Sequence, residues 1–229
     1  MPDLIVIVPT RGRVAAIPAL ADAFYKTCTA STELYLAIDR DDPDYGAYRE
    51  LLTVTDDVDH IIEQDAGTMV TALNEAAATV RWQTFAIGFM GDDHRPRTKG
   101  WDAAYLEALH AMGTGIVYGN DLYKGHDLPT QVAMTADIVR TLGFMAPAEL
   151  HHMYVDNFWF DLGTLAGCIR YLPDIVVEHM HPSAGKADVD AGYLRVNDPR
   201  VYDADRAAYT RYRYTRMWAD VEAVKGLRS

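Results

Sequence analysis

Two carboxylates and an imidazole directly follow an apolar run in the stretch FAIGFMGDDHRP, residues 85–96. Adjacent carboxylates make each other harder to ionise unless a positive charge lies between them. Asp92, Asp93 and His94 therefore fit either a solvated turn at a strand end or a site for a divalent cation. Carboxylate oxygens are the ligands that Mg²⁺ prefers, and Mn²⁺ also accepts imidazole nitrogen.

A second group of possible metal ligands lies in the stretch VVEHMHP, where His179 and His181 are two residues apart. On a strand this spacing directs both side chains to the same face. We favour His181 slightly, because it lies at the predicted strand end. A zinc protease is not indicated, since the sequence has no H-E-x-x-H and its cysteines, Cys28 and Cys168, are far apart.

Apolar runs alternate with helical patterns from residue 4 onwards, and this alternation must position the polar groups. It predicts an α/β fold with a mostly parallel sheet, helices on both faces and a single domain. The predicted strands are LIVIV (4–8), ELYLAID (33–39), DHIIEQ (59–64), TFAIGFMG (84–91), GIVYGND (115–121) and YLPDIVVEHMHP (171–182).

Arginines, carboxylates and histidines follow these strands, where ligands bind in open parallel sheets. Neither the dinucleotide-binding G-x-G-x-x-G nor the P-loop signature is present, so a nucleotide must be held in another way. The polar loops are PTRGR (9–13), DRDDPD (39–44), QDAG (64–67), GDDH (91–94) and HMHPSAGK (179–186).

Composition narrows the function classes. Of the 229 residues, 49% are hydrophobic, which is enough for a substantial core. The net charge of −12, from 33 acidic and 21 basic residues, argues against broad binding to duplex nucleic acid. No apolar run is long enough to span a membrane, and the N-terminus does not resemble a secretory signal. With two cysteines predicted as free thiols, we expect a cytoplasmic protein.

The ordered set of motifs resembles the GT-A fold glycosyltransferases, especially the family 2-like enzymes, from LIVIVPTRGR to HMHP. The resemblance implies a nucleotide-diphosphate sugar as donor, with a UDP-sugar favoured. It also implies donor contacts from the loop after the first strand, an acid after the second and positions on the next helix. The corresponding residues are Pro9, Thr10, Arg11, Arg13, Asp39, Gly67, Asn74 and Asp92.

The resemblance further implies a Mn²⁺ or Mg²⁺ cofactor, because GDDH stands where the family has its D-x-D metal motif. Asp93 is the favoured ligand, together with His181, His179 or His94. GDDH departs from a clean D-x-D, which leaves the register of the motif open. VDN corresponds to the family's E-D pair, so Asp156 is the expected catalytic base in an inverting displacement.

The acceptor is the least defined part of the prediction. Trp101, Asn157 and Trp159 are candidate acceptor contacts, and Lys186 is a candidate to close over the diphosphate. The acceptor is a glycan, a protein hydroxyl or a hydroxymethylated base in DNA. Residues 1–182 are predicted as the catalytic core, and residues 183–229 as a loop and helix extension that closes the site.

Two rival functions remain open at this stage. The first is a module that binds a nucleotide or carbohydrate on the same fold without turnover, because a fold alone does not determine activity. The second is a sugar nucleotidyltransferase. It ranks lower, because the Gly-rich loop followed by Arg and Lys is missing after the first strand.

Overall fold

A computed structural model describes residues 1–54, 58–65 and 67–228, and an eight-stranded sheet lies at its centre. The apolar runs predicted as strands all lie in this sheet. The strands are β1 (Leu4–Pro9), β2 (Thr32–Asp39), β3 (His60–Gln64), β4 (Ala86–Phe89), β5 (His94–Pro96), β6 (Ile116–Asn120), β7 (Val132–Thr135) and β8 (Ile169–His179).

The sheet is mostly parallel, as predicted, in the order β3-β2-β1-β4-β7-β6-β8-β5. Strands β1 to β4 form one parallel group, and β6 pairs in parallel with β8. Strand β7 runs antiparallel to both β4 and β6, and β5 runs antiparallel to β8. These antiparallel strands are only four and three residues long, too short for a recognisable period in the sequence.

Helices cover both faces of the sheet, because its central strands are apolar on both sides. In β1, Ile5 and Ile7 pack on one face, whereas Leu4, Val6 and Val8 pack on the other. The helices are α1 (Ile17–Thr27), α2 (Tyr45–Val54), α3 (Met69–Val80), α4 (Trp101–Met112), α5 (Ala136–Leu142), α6 (Val155–Ala166), α7 (Ala191–Val196), α8 (Pro199–Thr215) and α9 (Met217–Gly226).

The C-terminal helices share the core of the sheet. Tyr209 and Tyr212 of α8 and Val221 of α9 are buried in the same hydrophobic cluster as Ile5 and Ile7. Among the described residues, no helix combines the length and apolarity that a bilayer crossing requires.

The pairing of β5 with β8 brings two distant parts of the chain together at the edge of the sheet. His94 lies directly opposite His179 in this ladder, although 85 positions separate them in the sequence (179 − 94). The end of the fourth predicted strand and the end of the last one therefore meet.

Candidate functional site

A cavity of about 800 Å³ opens at the carboxyl ends of the parallel strands. Most of the side chains predicted to bind a ligand line this cavity. They are Pro9, Thr10, Arg11, Arg13, Asp39, Gly67, Asp92, Asp93, His94, Asp156, Trp159, His179 and His181.

Asp93, His94 and His179 form a cluster whose possible ligand atoms all lie within 4.8 Å of one another. Asp93 Oδ2 is 3.3 Å from His179 Nε2, and Asp93 Oδ1 is 3.5 Å from His94 Nδ1. The two imidazole rings stack with their centroids 4.3 Å apart. A carboxylate with one or two imidazoles is a donor set that suits Mn²⁺ better than Mg²⁺.

The hydrogen bonds around His94 fix the position of its ring proton. Thr130 Oγ1 donates its hydrogen to the carboxylate of Asp121 at 2.8 Å, so this hydroxyl can only accept from His94 Nε2, which is 3.4 Å away. His94 Nδ1 therefore carries the lone pair, and it accepts the Gly91 N–H at 3.0 Å. Since that lone pair already has a donor, His94 holds the site in shape, whereas Asp93 and His179 remain able to bind a cation.

His179 has a buried Nδ1 with no hydrogen-bond partner among the described residues. A buried ring nitrogen without a hydrogen-bond partner costs free energy unless a water or a ligand provides that partner. A divalent cation held by Asp93 and His179 would bind Nε2, the ring nitrogen that lies 3.3 Å from Asp93 Oδ2, and Nδ1 would then carry the ring hydrogen. His181 lies outside the cluster: its Nδ1 accepts the Ser183 N–H at 3.1 Å, and its ring stacks on Tyr123. His179, rather than the slightly favoured His181, is therefore the histidine that lies next to Asp93.

The two adjacent acids have opposite electrostatic surroundings. Burial raises the pKa of Asp92 to about 6, although Arg13 acts against this rise. Burial also disfavours the ionised form of Asp93, but its hydrogen bond with His179 outweighs burial and holds the pKa of Asp93 well below its usual range. Asp93 is thus the acid that stays ionised, as a metal ligand must.

Asp92 ties the loop after β1 to the C-terminal segment. It accepts a hydrogen bond from Thr10 Oγ1 at 2.7 Å and another from Arg13 Nη1 at 2.5 Å. Arg13 Nε also pairs with Asp190, the N-cap of α7, at 3.0 Å. One guanidinium therefore links an acid on the cavity floor to the segment after residue 183.

Asp39, at the end of β2, is held on both oxygens. Arg11 Nη1 donates to Oδ2 at 2.7 Å, and Gln64 Nε2 donates to Oδ1 at 2.6 Å. Arg11 also pairs with Asp41 at 2.5 Å. The β1 and β2 loops are thus cross-linked into one wall of the cavity.

Asp156 lies in the first turn of α6, and burial raises its pKa. Its Oδ1 accepts the Asn157 N–H at 2.9 Å. The residue before the helix, Tyr154, has a φ of 67°, which is rare for an aromatic residue. Tyr154 stacks on Tyr209 of α8, with ring centroids 5.6 Å apart. Packing against α8 therefore supports the strained turn that delivers Asp156 to the cavity.

Solved structures of nucleotide-sugar enzymes resemble this architecture. A mannosyltransferase from Pyrobaculum calidifontis, in complex with GDP-Man and Mn²⁺, has a TM-score of 0.64 at 15% identity and covers 99% of this chain and 74% of its own. Residues 1–349 of S. aureus TarS have a TM-score of 0.59 at 13% identity, covering 98% and 81%. Glucosyl-3-phosphoglycerate synthase from Mycobacterium tuberculosis has a TM-score of 0.61 at 12% identity, covering 90% and 80%.

This chain has the GT-A fold. No family model and no curated protein matches its sequence. The fold assignment thus depends on three-dimensional similarity, and the order of strands and polar loops along the chain agrees with it.

Some residues predicted to bind a ligand in this GT-A fold lie elsewhere. Trp101 is 1% exposed and packs between Phe24 and Tyr105, because α4 begins at Trp101 and turns the ring into the core. Trp101 is therefore corrected to a core residue. Asn74 bonds to the backbone of residues 145 and 146 and fastens α3 to the chain before α6, so its amide is not free for a nucleotide.

The remaining predicted contacts differ in their access to the cavity. Trp159 lines it but is 1% exposed, and its indole N–H donates to Met145 O at 2.8 Å. Lys186 pairs with Glu178 at 2.9 Å and also donates to the Leu122 carbonyl. Neither Lys186 nor Asn157 is among the described residues that line the cavity.

The cavity also contains residues that belong to none of the sequence motifs. The loop before α6 contributes His151, His152 and Tyr154, and α7 contributes Tyr193 and Arg195. The adjacent histidines just before VDN were a visible signal in the sequence. They belong to no spaced motif, however, and only the folded chain brings them to the cavity.

Proposed function

We propose that this chain is a metal-dependent glycosyltransferase that moves a sugar from a nucleotide-diphosphate donor to a hydroxyl acceptor with inversion. The observation that carries the proposal is one cavity of a GT-A fold that contains both the Asp93–His179 pair and the half-buried carboxylate of Asp156. The first pair suits a cation, and the second group suits a general base. Together they match the needs of a reaction with an anionic leaving group and a protic nucleophile.

On the donor side, Asp93 and His179 are the residues that would hold Mn²⁺. When bound, the cation supplies positive charge that stabilises a diphosphate leaving group. Arg11, Arg13 and Asp39 form the wall next to it. A UDP-sugar is the favoured donor, and the UDP and UDP-GlcNAc complexes of S. aureus TarS, which is similar in fold, support this choice.

On the acceptor side, Asp156 takes the proton of the attacking hydroxyl. Burial raises the pKa of Asp156, which makes its carboxylate a stronger base than that of an exposed aspartate. The proton moves from the acceptor oxygen to the carboxylate as that oxygen attacks the sugar carbon. The bond between this carbon and the diphosphate oxygen breaks in the same step.

Calorimetry of UDP binding and a donor-hydrolysis panel test this proposal. We expect UDP to bind at least 10-fold more tightly with Mn²⁺ than in EDTA, and one UDP-sugar to be hydrolysed slowly without an acceptor. Asp93→Asn should remove the dependence on Mn²⁺. The control Asp65→Asn, at a carboxylate that is 95% exposed, should retain it.

Two results would contradict parts of the proposal. Equal affinity for UDP in Mn²⁺ and in EDTA would exclude the metal role. Tight Mn²⁺-dependent binding with no hydrolysis or transfer, across UDP-sugars and GDP-mannose, would instead favour a module that binds nucleotides without turnover.

A further inference from the structure

The wall of the cavity near Asp156 contains basic groups that the proposed function does not use. We call His151, His152 and Arg195 the basic wall. The histidines come from the loop before α6, and Arg195 comes from α7. All of them line the cavity.

A buried carboxylate fixes the loop part of the basic wall. Asp205 of α8 is fully buried and accepts the main-chain N–H groups of His151, His152 and Met153 at 2.9, 2.9 and 2.7 Å. It also lies 2.8 Å from His151 Nδ1. Because an ionised carboxylate can only accept, His151 Nδ1 must carry a hydrogen. The Nε2 atom of His151 therefore remains available, on a side chain that is 57% exposed and faces the cavity. It donates to an anion when the ring is protonated, since both nitrogens of an imidazolium carry hydrogen.

Arg195 differs from the other arginines of the cavity in its pairing. Arg11, Arg13 and Arg200 have carboxylate partners at 2.5–2.8 Å. Arg195 has no salt bridge or hydrogen bond to any of the residues that the structure describes. Its guanidinium is close enough to His152 to add to the lowering of that imidazole's pKa, of which burial is the main cause.

The exposed guanidinium of Arg195 lies near the imidazole of His152, and His151 lines the same cavity of a chain with a net charge of −12. Most of the carboxylates around it are already engaged, and Asp156, the proposed base, should stay unpaired for its role. An anion would complete the wall, since guanidinium and imidazole N–H groups form short, strong hydrogen bonds with phosphate and carboxylate oxygens.

We propose that the acceptor is a small molecule with an anionic group, a phosphate or a carboxylate, and that His151, His152 and Arg195 bind this group. The inference rests on the proposed function, because it places the anion beside the acceptor hydroxyl. Asp156 follows His151 by five positions in the same loop and helix start. The anion would thus anchor the acceptor while its hydroxyl lies at the base.

Titration calorimetry with glycerol 3-phosphate and glycerate as charged probes, and glycerol as the uncharged parent, tests the inference. The protein is first saturated with UDP and Mn²⁺. We expect one or both anions to bind and glycerol not to bind. Arg195→Ala and His151→Gln should each lower the affinity for the anion at least 10-fold. Glutamine is chosen at position 151 because its amide keeps a donor for Asp205. The control is Arg206→Ala, which removes an exposed arginine of α8 that pairs with Asp203. This variant should change the affinity for the anion less than 2-fold.

Equal binding of glycerol and the anions would overturn the inference. So would an Arg195→Ala variant that loses UDP affinity rather than probe affinity, because Arg195 would then serve the donor diphosphate. The same titration without UDP and Mn²⁺ separates the two proposals. If UDP fails to bind while glycerol 3-phosphate still binds in an Arg195-dependent way, the proposed glycosyltransferase is wrong and the anion site stands.

Discussion

Replacing Asp205 with alanine should destabilise the protein by about 3 kcal/mol. The carboxylate accepts three main-chain N–H groups from residues 151–153 and contacts the imidazole of His151. Each main-chain donor left without a partner costs about 1 kcal/mol at the lower end of the known range, and water at the cavity edge favours that end. His151 adds little, because its side chain is more than half exposed.

Urea unfolding measures this effect, and the slope of the transition should not change. For a chain of this length, 3 kcal/mol corresponds to a melting temperature about 6–12 °C lower. Asp203→Ala is the matched control: its carboxylate lies on the same helix, is 63% exposed and pairs with Arg206. It should cost less than about 0.5 kcal/mol.

The difference in the free energy of unfolding between the wild type and Asp205→Ala should also depend on pH, and it should shrink at low pH. Burial alone would raise the pKa of Asp205, but the hydrogen bonds from residues 151–153 outweigh it and lower the pKa. A lowered pKa gives stability that is complete above the unfolded value of about 3.9 and is lost as the pH falls through the folded value. If Asp205→Ala were as stable as Asp203→Ala at pH 7, Asp205 would not hold this loop.

Further predictions concern the chemistry of the cavity. Asp156→Asn should lower turnover by about 10²-fold with UDP affinity unchanged, and a near-normal rate would place the base elsewhere. Because burial raises the pKa of Asp156, wild-type turnover should fall on the acid side at a pH above the usual carboxyl range, and a pH profile locates that limb. In pulsed EPR of bound Mn²⁺, the nitrogen coupling should vanish in His179→Ala and persist in His94→Asn, whose Oδ1 can accept the Gly91 N–H. The opposite pattern would make His94 the ligand.

The sequence alone was sufficient for the parallel part of the sheet and for the edge where the ligand groups lie. Strands β1 and β2 are continuous apolar runs bounded by polar loops, so their ends carry Arg11, Arg13 and Asp39 to a common edge. The same logic brought Asp93 to this edge. These inferences hold because the pattern of burial along one strand is a local property of the chain.

Tertiary structure decided which neighbours each of these groups has. His179 rather than His181 faces Asp93, because the antiparallel ladder of β5 and β8 sets His94 opposite His179. Trp101 lies in the core because of the direction in which α4 leaves its N-cap, Gly100, at a φ of 78°. Register and helix direction depend on packing between distant segments, and no single stretch of sequence records them.

The part of the cavity that we propose binds the acceptor depended on tertiary structure most of all. The contact of Asp205 with His151 joins residues 54 positions apart, and it forms only because α8 packs across the loop before α6. In the sequence, Asp205 is one of two acids in a polar helix, and His151 is one of two adjacent histidines. A hydrogen bond between them needs a fixed short separation, and the packing of α8, which buries Asp205, imposes that separation.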